Sequence, residues 1–109
     1  MSKSSVFRGA ATRDDNEPLF TELLDRYHIE YAKGTPGDGY DLCVHFPITM
    51  HLWEIKNPSQ PRSKRKLTPA ELHKQEYCKT FSIPYHVLEY TDQAVTLIAI
   101  ALAYHRSQS

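Results

Sequence analysis

The fold of this protein is decided by residues 40–56, which read YDLCVHFPITMHLWEIK. Apolar and polar residues alternate through residues 40–46 and again through residues 50–56, and a period of two predicts β-strands. The link Phe46-Pro47-Ile48-Thr49 between them is short, so the two strands should form an antiparallel hairpin. If the hairpin is symmetric about Pro47 and Ile48, Asp41 lies opposite Glu54.

Three charged residues of this hairpin should lie together. Glu54 and Lys56 are two positions apart and therefore share one face of the second strand, and Asp41 should lie with its Cβ roughly 5 Å from that of Glu54. Two facing carboxylates repel each other, but a hard divalent cation such as Mg²⁺ binds carboxylate oxygens and removes that cost. With Lys56 to hold a phosphate or an attacking water, the set suits metal-assisted phosphodiester hydrolysis. The alternative is an edge strand whose charged face is simply solvated, since a Glu-x-Lys element alone is weak evidence.

Helices are predicted on both sides of the hairpin. Asp15-Asn16-Glu17-Pro18 has the capping residues and early proline of a helix start, and the apolar stripe that follows, ending near His28, consists of Leu19, Phe20, Leu23, Leu24 and Tyr27. Thr68-Pro69-Ala70-Glu71 opens a second helix as a capping box. Thr91 is expected to cap a third, whose buried stripe should be Ala94, Leu97, Ile98 and Ala101.

The remaining segments complete an α-β-β-α-β-α order. Residues 34–39 are rich in glycine and proline and predict a loop, and Pro84–Tyr90 predicts a third strand. A strand, a helix and a strand in succession imply a right-handed crossover, so this strand should lie parallel to residues 50–56. The expected fold class is α/β (α+β), with a mixed sheet flanked by helices.

Length and composition predict one small domain. The chain has 109 residues, of which 40% are hydrophobic, enough for one core. We expect residues 1–14 to be a flexible tail and residues 15–105 to be the domain. Neither the first ten residues nor the apolar run Val95–Ala103 resembles a signal peptide or a membrane span. A soluble cytoplasmic protein is predicted, with Cys43 and Cys78 as reduced thiols.

Charge is balanced overall but not along the chain. The 13 basic and 13 acidic residues cancel, which does not indicate a nucleic-acid partner, because the usual footprint is a basic domain. The segment Lys56–Lys66, however, contains no acidic residue. Its basic side chains could attract phosphate, or they could belong to a solvated loop. The candidate phosphate contacts after the strand are Arg62, Lys64, Arg65 and Lys66.

Taken together, these motifs resemble a known family. Asn16-Glu17, Gly39-Tyr40-Asp41-Leu42, Trp53-Glu54-Ile55-Lys56 and Lys66-Leu67-Thr68-Pro69 are similar to the successive signatures of VRR-NUC domains, which belong to the PD-(D/E)XK nucleases. The resemblance covers residues 13–98. It implies a restriction-endonuclease-like core in a small nuclease of phage or prophage type.

The resemblance also implies roles for individual residues. Asp41 and Glu54 would bind Mg²⁺ or Mn²⁺ together with the peptide carbonyl of Ile55, Lys56 would be catalytic, and Glu17 would be an accessory acid. Two positions depart from the family pattern. Tyr40 stands where the family commonly has proline, which is not a ligand. The family's glutamine on the helix after the Glu-x-Lys element could correspond to Gln75, or Glu71 could take its place; both are on the same helix face.

The expected function is therefore that of a metal-dependent DNA endonuclease, a phosphodiester hydrolase. A chain this short has no separate recognition module, so structure-selective cutting of branched, flapped or junction DNA by a homodimer is expected by analogy with the family. One alternative is a nuclease-like fold that binds DNA or a protein without cutting. Another is a small interaction protein whose charged hairpin is only a solvated edge.

Overall fold

The computed structural model describes residues 16–108; the tail expected at residues 1–14 lies outside this range. The elements follow in the order α1 (Glu17–Arg26), β1 (Tyr31–Lys33), β2 (Leu42–His45), β3 (Met50–Ile55), a short 3-10 turn (Arg62–Lys64), α2 (Pro69–Thr80), β4 (Tyr85–Leu88) and α3 (Thr91–Gln108). The four strands form one mixed sheet in the order β1-β2-β3-β4.

The hairpin and the crossover are both present. β2 and β3 are antiparallel, with Leu42 opposite Trp53, which is the register that a turn centred on Pro47 and Ile48 predicts. β4 lies parallel to β3 and pairs Val87 with Glu54. The predicted class, a mixed sheet with an antiparallel hairpin and a parallel crossover strand flanked by helices, is confirmed.

One face of the sheet carries the hydrophobic core. Trp53 is fully buried and its ring meets that of Phe20 edge-on, with centroids 6.4 Å apart. Such a contact adds to the area that the two rings bury. The cluster takes residues from α1, the sheet and α3, and its members are Phe20, Leu23, Leu24, Ile29, Leu42, Val44, Phe46, Trp53, Ile55, Leu88, Ala94 and Ile98. Because successive strand residues point to opposite faces, Glu54 and Lys56 project from the other face, toward α2.

Several boundaries differ from the sequence-based expectation. The predicted stripe of α1 included Leu19 and Tyr27, but these residues are 53% and 43% exposed. α1 ends at Arg26, and Tyr27 is its C-cap. His28 then adopts a left-handed φ of 58°, and a left-handed residue commonly terminates an α-helix. Thr91, the predicted cap of α3, is the first residue of the helix.

The structure also contains elements that the sequence did not predict. β1 is an edge strand of three residues that pairs with β2, Tyr31 lying opposite Val44. Three residues are too few for alternation to be visible.

The predicted strand Pro84–Tyr90 is shorter than expected and spans Tyr85–Leu88. No helix within residues 16–108 is long and apolar enough to cross a membrane.

Candidate active site

Asp41 lies where the regular pairing of β2 and β3 ends. Its backbone N–H donates to the carbonyl of Trp53 at 2.9 Å. Its carboxylate Oδ2 accepts the backbone N–H of Ile55 at 2.7 Å. The side chain thus replaces the backbone carbonyl that would accept this N–H if the two strands continued to pair. A hydrogen bond to an ionised carboxylate is stronger than one between neutral groups, so Asp41 is held in a fixed orientation beside the end of β3.

Glu54 is a buried acid next to that carboxylate. The residue is 4% exposed, and burial, the charges of Asp41 and Glu71, and a hydrogen bond with Glu71 raise the pKa of Glu54 to about 9. Each of these factors disfavours the ionised form of Glu54, whereas the charge of Lys56 favours it. The single lysine therefore does not offset the effect of burial and of the neighbouring acids on Glu54.

Lys56 is placed between two carboxylates. Its Nζ lies 3.3 Å from Oε2 of Glu54 and 2.8 Å from Oε1 of Glu71. Burial opposes the charge of Lys56, but the hydrogen bond to Glu71 and the charge of Glu54 outweigh it and raise the pKa of the ammonium group. Lys56 is therefore a fixed cation and not a free base at neutral pH.

Glu71 connects this cluster to the start of α2. Thr68 Oγ1 accepts the N–H of Glu71, and Glu71 Oε1 accepts the N–H of Thr68 at 2.8 Å, which completes the predicted capping box. Burial raises the pKa of Glu71, but the hydrogen bonds from Lys56 and Thr68 outweigh it and the net shift is downward. Of the two auxiliary candidates, Glu71 contacts Lys56, whereas Gln75 lines a groove with Tyr85 and Leu97.

Tyr85 is a residue of this cluster that sequence reasoning missed. Its hydroxyl donates to the carbonyl of Gly39 at 2.6 Å. Burial, followed by the charges of Glu54, Glu71 and Asp41, raises the pKa of the Tyr85 phenol. The phenol is thus a neutral donor beside three acidic side chains, and it connects β4 to the loop before Asp41. Tyr85 comes close to these acids because β4 pairs with β3, a neighbourhood that the sequence around Tyr85 does not show.

Gly39 allows α2 to pack directly on the loop before Asp41. A Cβ at this position would lie 2.6 Å from Cβ of Lys74 and 2.7 Å from the carbonyl oxygen of Ala70, and the φ of Gly39 is +86°. Both the space and the backbone conformation exclude a larger residue. The glycine therefore sets the distance between α2 and the carboxylates of the hairpin.

The start of α1 closes one end of the cluster. The side-chain amide of Asn16 donates to the carbonyls of Lys56 and Glu89, at 3.0 and 2.8 Å. Glu17 follows directly and is 2% exposed; its Oε2 lies 4.0 Å from Nζ of Lys33 on β1. Glu17, the expected accessory acid, is thus buried directly after Asn16, which hydrogen-bonds to the carbonyl of Lys56 just beyond β3.

The predicted phosphate contacts divide into two kinds. Arg62, Lys64 and Lys66 are exposed. Arg65 is half-buried, and its guanidinium Nη1 lies 3.2 Å from Oε2 of Glu89. Arg65 therefore holds the loop against the residue that follows β4, and the exposed three are better placed to meet a ligand.

Potential metal donors come from both strands of the hairpin. Within residues 16–108, no group of three or more His, Cys, Asp and Glu side chains is arranged to hold a metal. The predicted ligand set is different, because it contains two carboxylates and one peptide carbonyl. The N–H of Ile55 points toward Asp41, and the N–H and C=O of one strand residue point to the same neighbour. The carbonyl of Ile55 thus faces the side of Asp41.

Comparisons with protein-family models, curated proteins and solved structures found no match to this chain.

Proposed function

We propose that this protein is a metal-dependent endonuclease that hydrolyses phosphodiester bonds in DNA. The observation that carries the proposal is the environment of Glu54, a buried acid beside Asp41 with a pKa raised to about 9. An ordinary fold gains nothing from burying one acid against others. Perturbed acids of this kind are typical of functional sites, and a cation would satisfy them.

The donor set fits Mg²⁺ or Mn²⁺. Asp41, Glu54 and the carbonyl of Ile55 are all oxygen donors, which these ions prefer. When bound, such an ion supplies positive charge to a phosphoryl oxygen and lowers the pKa of a bound water. The fit rests on the crowding of acidic side chains that raises the pKa of Glu54, because an ion of charge two would favour the ionised form of Glu54.

The remaining residues would orient the substrate. Lys56, held as a cation by Glu71, would contact the scissile phosphate or the attacking water and stabilise developing negative charge. Asp41 is fixed by the Ile55 N–H, so the carboxylate needs little rearrangement to act. Glu17 is proposed as the accessory acid on the strength of the VRR-NUC resemblance.

The proposed substrate is branched, flapped or junction DNA, cut by a homodimer in the cytoplasm of the host of a phage or prophage. The exposed side chains of Arg62, Lys64 and Lys66 follow the Glu-x-Lys strand and would meet the phosphate backbone.

A DNA-binding module that does not cut is the second candidate function. It is favoured by the two ion pairs that Lys56 already forms, with Glu54 and Glu71.

A cleavage assay separates the two candidates. The purified protein is incubated with linear, nicked, flapped and four-way DNA in Mg²⁺, in Mn²⁺ and in EDTA. We expect cuts in branched or flapped substrates only with metal, and at least a 100-fold loss in Asp41→Asn and Glu54→Gln. Glu22→Gln, which changes an exposed acid on α1, is the matched control. Binding without cutting in every metal would establish the second candidate instead.

A further inference from the structure

α2 presents large apolar side chains to solvent. Tyr77 and Phe81 are four residues apart and share one face of the helix; they are 48% and 61% exposed, whereas Cys78 is the buried residue of α2. Two adjacent exposed rings on one helix are costly to hydrate and do not serve the core. This face is therefore a candidate binding surface.

The rings on this surface form a row with one cation. The rings of Tyr77 and Phe81 have centroids 4.7 Å apart. Nζ of Lys74 lies 5.3 Å from the centroid of Tyr77 and 6.0 Å from that of Tyr40. We call Tyr40, Lys74, Tyr77 and Phe81 the aromatic row.

The aromatic row begins at the candidate active site. Tyr40 directly precedes Asp41, and the backbone of Gly39 packs against Lys74. The other end is Phe81, the C-cap of α2. A ligand held at the carboxylates could thus continue along α2 without leaving the protein surface.

The charge within the row favours a polyanion. Lys74 lies over the rings of both Tyr40 and Tyr77. A cation between aromatic rings suits a strand of phosphates and bases, because a lysine attracts the backbone and rings accept the faces of unpaired bases. Paired bases in a duplex are already stacked and cannot use the rings.

We propose that the aromatic row is a stacking platform for the unpaired bases of a single-stranded DNA arm that leaves the site. This inference rests on the proposed function and deepens it, since it names single-stranded arms as the feature that selects the substrate. Stacking on a ring is worth roughly a factor of ten or more in affinity per base.

The test compares two oligonucleotides in EDTA, so that binding is measured apart from cleavage. One is a labelled single strand, and the other has the same length and phosphates but abasic positions. By fluorescence anisotropy, we expect the parent to bind the base-containing strand at least tenfold more tightly. Tyr77→Leu and Phe81→Leu should each reduce this ratio several-fold, because leucine keeps the apolar bulk but removes the ring.

Two matched variants complete the design. Tyr77→Phe keeps the ring and should retain the ratio, as should Tyr104→Leu, which removes an equally exposed ring (55%) from α3. Equal affinity of the parent for both oligonucleotides would overturn the proposal. So would variants that leave the ratio intact but abolish self-association in sedimentation, because the row would then serve a second copy of the chain. A base-dependent ratio in a protein that never cuts DNA would remove the proposed function and leave the platform standing.

Discussion

Nζ of Lys56 lies 2.8 Å from Oε1 of Glu71, and this ion pair joins the end of β3 to the first turn of α2. The same oxygen accepts the N–H of Thr68 in the capping box. The start of the helix and the position of the candidate catalytic lysine are therefore set by one carboxylate. Changes at either residue should affect both stability and activity.

Replacing Lys56 with methionine should abolish cleavage and also weaken the fold. Glu54 and Glu71 would lose the cation between them, and breaking a buried pair costs about 3 kcal/mol. Glu71→Gln should cost less, because its amide oxygen still caps α2. Urea unfolding and single-turnover cleavage are the measurements. Cleavage by Lys56→Met at near-parental rates would contradict the proposed role of the lysine.

The metal-free protein should lose stability as pH rises from about 5 to 9. The pKa of Glu54 is about 9 in the fold, against a usual value of 4.5. A raised carboxyl pKa gives a contribution that is complete below the unfolded value and is lost as pH rises through the folded one. Asp41, Glu71 and Lys56 are the charged groups that face Glu54.

Melting temperatures in EDTA and in millimolar Mg²⁺ test this dependence. At pH 8, metal should raise the melting temperature of the parent by mass action. Glu54→Gln should melt higher than the parent in EDTA, because it has no charge to bury, and should respond little to metal. A parent indifferent to both pH and metal would mean that Glu54 is not part of a cation site.

A pair of histidines should produce the opposite dependence at lower pH. The rings of His51 and His86 are 5.2 Å apart, and His51 Nδ1 and His86 Nε2 are buried with no hydrogen-bond partner among residues 16–108. Burial, followed by the charge of His86, lowers the pKa of His51 to about 4 from 6.5. Burial also lowers the pKa of His86. Stability is then complete above pH 6.5 and falls as pH decreases toward 4.

The histidine effect is best measured in the Glu54→Gln background, which removes the opposing carboxyl. The free energy of unfolding should fall between pH 7 and pH 5, and His51→Phe should flatten that fall. His73→Phe, at an exposed position on α2, is the control and should leave it unchanged. A slope that survives His51→Phe would assign the acid sensitivity to other groups.

The exposed basic side chains should determine the salt dependence of DNA binding. Replacing Arg62, Lys64 and Lys66 with alanine should flatten the slope of log K against log salt by roughly two to three, at about 0.9 per phosphate contact. Cleavage at saturating DNA should persist. Arg65→Ala should instead break the pair with Glu89, at a cost of about 1 kcal/mol or less in stability. An unchanged slope in the triple variant would direct the search for the DNA path elsewhere.

The hairpin could be predicted because its signals are local. Alternation and a short connection determine both the strands and the register, so the position of Leu42 opposite Trp53 follows from residues 40–56 alone. The capping box of Thr68 and Glu71 is equally local. Features that depend on packing between distant segments were not visible. Examples are the contact of Tyr85 with Gly39, 46 residues apart, and the pairing of Arg65 with Glu89.

The side-chain amide of Asn16 has a consequence for the order in which the chain assembles. Its two acceptors lie 40 and 73 residues further along the sequence, so this one side chain closes two long loops. Contacts between residues far apart in the sequence carry a larger loop-closure entropy than the pairing of neighbouring strands. The contact needs residues from both ends of the described chain, whereas β2 and β3 are neighbours in the sequence. We therefore expect the end of the sheet where Lys56 lies to become ordered after the β2–β3 hairpin.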